Sequence, residues 1–501
     1  MQQTSSLWNR REWLTSLAAL GLGTALGVRA ATPADAWHSS YASFDAPDFA
    51  GYLRTDHLPV QGKLPAALRG TFYRNGPARF GRGTSRLTHW FDGDGMLQAL
   101  RINDGQVSHQ GRILSTSKTV QEADAGRFLY GNFGSSPVNP LPVTAPDTIN
   151  PSNINLLPME QGRKLYALWE AGSALEVSPD TLQSYGYKVW SPDTAGAPFS
   201  AHPRVAPDGT VWNFGSLVGS GKLLIYQIAP NGQLQRQTVL SLPNADIVHD
   251  FAITERHLVF LLQPLKFERT GEPLPNLLAG MHSDAQAPMI ACVVAKADWR
   301  STMIELPNSG LFHLGNAFEH GDQIHLSYVH HNDILSTMKS FDVSTEATQP
   351  VQLASVWTDV ELQPASRRAV VRRTPLTQVE FPRFDPRRTG RPQQITIMLQ
   401  RSQALAALPV MGFDSLVVLN GERTERHTYG EGWLVEEHLY VPHPYRTEEK
   451  AGWVLGTAYH WPSEKTTLSV FNAAQISAGP VAQVQLPYGL PLGLHGQFVP
   501  S

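Results

Sequence analysis

Histidine is the residue through which this chain could do chemistry. There are 18 histidines among 501 residues and one cysteine, Cys292, so neither an intramolecular disulfide nor a thiolate cluster can form. Any metal must be held by His, Asp or Glu. Cys292 lies in the apolar run Met289-Ile290-Ala291-Cys292-Val293-Val294, where a buried, inert thiol is expected. The chain has no H-E-x-x-H. The adjacent His330 and His331 would point to opposite faces of a strand and could not share an ion. Spacing alone therefore allows a His-rich metal site in a cysteine-poor protein, but selects no particular set of histidines.

The elements that must position such a site read as strands. Lys222–Ile228 runs into Ala229-Pro230-Asn231-Gly232 and then a second β-type run over 233–242, which predicts a hairpin. His257–Leu262, Met289–Ala295, 323–328, Ser415–Asn420, Trp433–Val441, Trp453–His460 and 467–472 repeat the type. Asn420-Gly421 and Asn231-Gly232 are the clearest hairpin turns. With 41 Gly and 37 Pro, many short strands and turns suit the chain better than long helices. No sustained helical period appears, nor a G-x-G-x-x-G ahead of a helix, so a Rossmann-type nucleotide site is unsupported. Short strands without βαβ alternation argue for an all-β, closed or radially repeated architecture. Internal repeats are too faint to count blades.

Two stretches read as long excursions from this scaffold, 126–150 and 267–288. Loops of that length on a rigid β frame commonly form lids or entrances. The second carries an apolar patch over 274–281, a candidate for peripheral membrane contact. A net charge of −3 leaves no electrostatic footprint for nucleic acid. Near the N-terminus, Asn9-Arg10-Arg11-Glu12-Trp13-Leu14 precedes an apolar run over 17–28 and small residues up to Ala36. This reads as an export signal of twin-arginine type over 1–36, although Trp13 and Thr15 depart from the commonest pattern. The expectation is a periplasmic or otherwise exported protein, with one domain over 37–501. Export of a folded chain would let a metal be loaded beforehand, away from tighter-binding divalent competitors.

Between Phe72 and Met96 the chain reads F-Y-R-N-G-P-A-R-F and then T-H-W-F-D-G-D-G-M. Arg74-Asn75-Gly76-Pro77 has turn chemistry after the β-type Gly70-Thr71-Phe72-Tyr73. His89-Trp90-Phe91 reads as a short strand, and Asp92-Gly93-Asp94-Gly95 as a tight hairpin turn. R-N-G-P followed by H-W-F-D-G-D-G-M closely resembles the N-terminal motif of the carotenoid cleavage oxygenases. The resemblance implies a seven-bladed β-propeller whose long loops cap the metal-bearing face, with one Fe(2+) held by four histidines on the axis. Four phrases match that family's ligand motifs in order: F-S-A-His202-P, I-V-His249-D-F, F-His313-L-G-N-A-F-E and G-L-His495-G-Q-F. The family's three carboxylates, which hold three of the imidazoles, match Glu170 in A-L-W-E-A-G, Glu380 in V-E-F-P and Glu437 in E-H-L-Y-V. Glu436 adjoins Glu437, and strand alternation would turn only one of the pair inward. Glu319, His89, Asp92 and Asp94 belong to motif phrases but read as structural.

The implied activity is that of a dioxygenase, cleaving a C=C bond with O2 into two carbonyl products. Four neutral imidazoles suit Fe(II), though also Zn and Cu. Family members divide between long polyenes and phenolic stilbenes. Near the place of the stilbene branch's phenol-gripping Tyr this chain offers His109, and 126–150 contains no Lys. An apocarotenoid or similar hydrophobic conjugated polyene, taken by a monomer, is therefore expected ahead of a stilbene. An isomerohydrolase or a non-enzymatic binding propeller are the remaining classes.

Overall fold

The computed structural model describes residues 36–268, 274–344, 353–421 and 423–501. Their strands form seven antiparallel sheets of four or five strands, arranged around one axis as a seven-bladed β-propeller. Blades two to seven each run outward from an inner strand: Asn155–Met159, Arg204–Val205, Phe251–Ile253, Leu314–His320, Val379–Arg383 and Trp433–Val441. In blades five and six the outermost strands, Arg368–Thr377 and Arg423–Thr428, are mostly exposed or half-buried, whereas the inner strands of blades six and seven, Val379–Arg383 and Trp433–Val441, are almost wholly buried. Blade one is built from both chain ends. Gly496–Pro500 is its inner strand and pairs antiparallel with Gly70–Arg79. A second tie comes from Val60–Gly62, which pairs with Pro480–Gln485 at the outer edge of blade seven.

Apolar layers fill the spaces between neighbouring blades. Phe214, Phe251 and Phe260 fill one between blades three and four. Val259, Ala291, Leu326 and Val360 fill the next. The strands expected from sequence are present, including the hairpin Lys222–Ile228 with Leu234–Ser241. The longest described helix, Ser117–Ala125, has nine residues. Among the described residues no helix is long and apolar enough to cross a membrane.

The N-terminal motif is built differently from its expected form. Arg74-Asn75-Gly76-Pro77 is not a turn: Gly70–Arg79 is one continuous strand, buried through the motif and paired on both sides. A strand hemmed in by two neighbours outweighs the local turn preference of Asn-Gly-Pro. Trp90–Asp92 is a turn of 3-10 helix, with the His89 ring accepting from Phe91 N. Asp94 begins the strand Asp94–Asn103, so the tight turn expected over 92–95 is instead the end of a longer connection.

That connection anchors the two long excursions to each other and to the first blade. Asp92 accepts the backbone N–H groups of Phe133, Gly134 and Ser135 at 2.6–3.1 Å. The excursion over 126–150 is in turn stitched to the second one by Leu277 N to Asn132 O and Leu278 N to Phe133 O. Leu278 and Met281 are buried, so the patch over 274–281 turns largely inward. The expected export signal lies outside the described residues up to residue 35. Ala36 and Trp37 are already part of the buried core, and the Trp37 indole donates to Met411 O.

Candidate metal centre

Four of the seven inner strands are entered through a histidine. His202 and His249 stand two residues ahead of Arg204–Val205 and Phe251–Ile253, and His313 and His495 one residue ahead of Leu314–His320 and Gly496–Pro500. The propeller brings these four distant positions to one point. His249 Nε2 lies 3.4 Å from His313 Nε2, which lies 3.2 Å from His495 Nε2. Ligand atoms of His202, His249 and His313 all fall within 4.8 Å of one another. The His202 and His495 ring centroids are 4.9 Å apart.

The spacing suits a metal. Metal–imidazole bonds of about 2.1 Å place neighbouring ligand nitrogens about 3.0 Å apart at right angles, close to the separations seen. His202 Nε2 is buried without a hydrogen-bond partner among the described residues, a costly state for a polar atom unless something else satisfies it. The residues present therefore fit a bound ion.

Each of three imidazoles has a carboxylate on its other nitrogen. Glu380 Oε2 meets His313 Nδ1 at 2.5 Å, Glu437 Oε1 meets His495 Nδ1 at 2.8 Å, and Glu170 Oε1 stands 3.0 Å from His249 Nδ1. His202 has no such partner; its nearest carboxylate contact is Glu170 at 3.7 Å from Nε2. A carboxylate on Nδ1 fixes the tautomer that leaves Nε2 free as a ligand.

Charge follows the same pattern. Burial holds His202 well below the ordinary imidazole value and brings His495 down to about 4 despite Glu437. For His249, burial opposes the charged form but Glu170 pulls the pKa up. Burial alone would raise the two buried carboxyls. His313 and His331 outweigh it at Glu380, and Arg383 with His495 outweighs it at Glu437, holding both well below the usual range.

Several positioning residues carried no individual sequence signal. His331 Nε2 meets the second oxygen of Glu380 at 2.9 Å, while His330 faces Ser309 and Asn332. Arg383 donates to both oxygens of Glu437 and to Gly496 O. Immediately after the histidines, Arg204 pairs with Asp250 at 2.8 Å, and Asp250 also accepts from Leu314 N. Those contacts bolt three blades together one or two residues from His202, His249 and His313. A charged residue set between a histidine and an apolar strand, as in H-P-R and H-D-F, is the mark that could have revealed them.

The R-N-G-P strand supports His495. Asn75 N donates to His495 O and Asn75 O accepts from Leu494 N, both at 2.9 Å. Gly76 and Gly493 touch so closely that a Cβ on Gly76 would lie 2.3 Å from Gly493 Cα; only glycine fits there. Arg74 pairs with Glu436 at 2.8 Å, and Glu436 accepts from Gly493 N at 2.6 Å. Both Glu436 and Glu437 are thus buried, against the expected alternation. An irregularity between Val435 and His438 resets the register of Trp433–Val441 and turns both carboxylates inward.

His249, His313 and His495 open onto a cavity lined by Trp37, Trp90, Phe91, Phe133, Phe312 and Phe341, with Leu277 and Met281 from the second excursion. No lysine lines it. His109 does not line it either: it is fully buried in blade one between Gln98 and Tyr488. His109 therefore does not take the place of a phenol-gripping Tyr in the cavity, and its difference from Tyr carries no weight on substrate choice. Glu319 lies apart from the centre, holding Thr254, Arg256 and His257.

Comparison with known proteins gives a consistent picture. The family model described as retinal pigment epithelial membrane protein, RPE65, matches residues 51–500. Apocarotenoid-15,15'-oxygenase of Synechocystis is 29% identical over 468 residues, covering 88% of this chain and 92% of the relative. Lignostilbene-alpha,beta-dioxygenase isozyme III of Sphingomonas paucimobilis is 27% identical over 472 residues, covering 88% and 93%. The crystal structure of cobalt-substituted Synechocystis ACO superposes with a TM-score of 0.82 at 26% identity, covering 94% of this chain and all of that one.

Proposed function

The chain belongs to the RPE65 family of carotenoid cleavage oxygenases, and from that premise we propose that it is an Fe(II)-dependent dioxygenase. It would cleave one C=C bond of an apocarotenoid or similar conjugated polyene with O2, giving two carbonyl products. The observation that carries this reading is the meeting of four imidazole side chains, three of which, His249, His313 and His495, line an aromatic cavity. His202, His249, His313 and His495 would hold the ion, and Glu170, Glu380 and Glu437 would orient three of them. Ferrous iron supplies the redox chemistry that lets triplet O2 react with an alkene.

The chain's own residues do the rest by placement. The aromatic walls hold a flat polyene beside the histidines and exclude water, which matters wherever reactive intermediates form. The capping loops close one side of that space with Phe133 and Leu277. Glu380 and Glu437, both held well below the usual carboxylate range, stay ionised, so their negative charges offset a dipositive ion in a dry site.

The test is anaerobic reconstitution with Fe(II), then addition of O2 with a panel of polyenes and stilbenes and mass analysis of products. The expected result is O2 uptake with a polyene and two carbonyl fragments whose masses sum to substrate plus O2. Isomerised substrate without O2 uptake would sink the dioxygenase reading. Cleavage of stilbenes alone would move the substrate class to that of the lignostilbene relative.

A further inference from the structure

One side chain in the cavity wall is out of keeping with its surroundings. Arg401 follows directly on the strand Ile395–Gln400 of blade six and lines the cavity that leads to the histidines. It is 3% exposed. Its Nη1 donates to Gly412 O at 3.2 Å and its Nη2 to Leu405 O at 3.1 Å. Both acceptors are neutral carbonyls. Its Nε–H is buried and has no partner among the described residues. Asp414, whose field reaches Arg401, is itself engaged by Ser402 N and Oγ.

A guanidinium buried without an ion-pair partner is expensive to maintain, and an unpaired N–H adds to that. Burial lowers its pKa only to about 10, so the charge persists at neutral pH. The two carbonyls hold the planar group in place, leaving Nε as the guanidinium nitrogen with no acceptor. The wall is mainly aromatic and aliphatic but also carries the glutamates and histidines of the metal centre, and a cationic donor such as Arg401 has a use there if the ligand brings the acceptor.

We propose that Arg401 anchors the oxygen at one end of the substrate, so that the chain selects conjugated polyenes ending in a carboxylate or aldehyde over those ending in hydrocarbon. The guanidinium ranks carboxylate above aldehyde, because the charge-assisted hydrogen bond is the stronger. Fixing one end also fixes which double bond lies beside the histidines. The anchor makes the cavity directional, whereas its aromatic walls would accept a polyene in either sense.

The proposal takes the polyene body of the ligand from the function proposed above, but its test reads binding separately from turnover. Trp37, Trp90 and Trp169 line the cavity, so an entering polyene should quench tryptophan fluorescence. The iron-loaded full chain is titrated anaerobically with retinoic acid, retinal and the corresponding hydrocarbon. The wild type is expected to bind the acid about tenfold or more tighter than the hydrocarbon. Arg401→Met is expected to erase that preference while leaving hydrocarbon affinity unchanged. The idea is overturned if the wild type shows no end-group preference, or if R401M weakens all three ligands equally, as a purely structural arginine would. Should R401M not fold, Arg401→Lys keeps a cation but loses the planar Nε–H; an undiminished preference in that variant overturns the assignment too. A clear preference without O2 uptake on any polyene would support the anchor and reject the dioxygenase.

Discussion

At the scale of single residues, the centre divides its work between nitrogen and carboxylate. Glu170 illustrates the division because Oε1 makes no hydrogen bond apart from its approach to His249. Glu170→Gln should therefore leave the fold intact while lowering iron affinity about 10–100-fold, checked by circular dichroism and by iron titration. Unchanged iron affinity would remove Glu170 from the centre. His249→Ala should lose iron and activity together, since the three remaining imidazoles leave a gap in the ring of donors. Full iron content in that variant would contradict the four-histidine reading.

At the scale of elements, what matters is how strands and their neighbours present those residues. The strand Gly70–Arg79 supplies no residue to the cavity wall, yet it sets the height of His495 through Asn75, Gly76 and Arg74. Arg74 and Glu436 are both almost fully buried, so removing one partner strands the other's charge. Arg74→Met should destabilise the protein by about 3–5 kcal/mol, measured by denaturant unfolding of the metal-free chain. It should also loosen Gly493–His495 and weaken iron binding. A stability loss below about 1 kcal/mol would mean that Glu436 finds another partner or takes up a proton. Short strands account for the rest of the site's precision: Arg204, Asp250 and Leu314 tie blades three, four and five within two residues of three of the histidines.

At the scale of the whole molecule, the centre exists because the ring closes. Gly496–Pro500 supplies the inner strand of a blade otherwise formed from residues before 114, and His495 sits at its entrance. A chain ending at His495 retains every imidazole and every orienting carboxylate. It should nevertheless fail to bind iron stoichiometrically, because five ladder positions from Gly70 to Arg74 lose their partners and the last histidine loses its tether. Iron per chain after reconstitution, read beside size-exclusion behaviour, decides this. Normal iron content in the truncated chain would show that His495 is held by Asn75 and Glu437 alone.

Much of this was legible in order along the chain. The strands over 222–241, 289–295, 415–420 and 433–441 declare themselves by β-branched and aromatic runs between turns, a local property. The four histidine phrases declare themselves by resemblance, because their apolar and glycine neighbours form the entrance to each inner strand. Local reading went wrong where burial from two sides overruled it: Arg74–Pro77 became strand, a bulge turned both Glu436 and Glu437 inward, and His109 moved away from the cavity. The meeting of nitrogens from residues 202, 249, 313 and 495, and the placement of Arg401 in the wall of the cavity beside them, depend on seven sheets closing around an axis. Such distances are set between blades far apart in the chain, so no local pattern of residue types could encode them legibly.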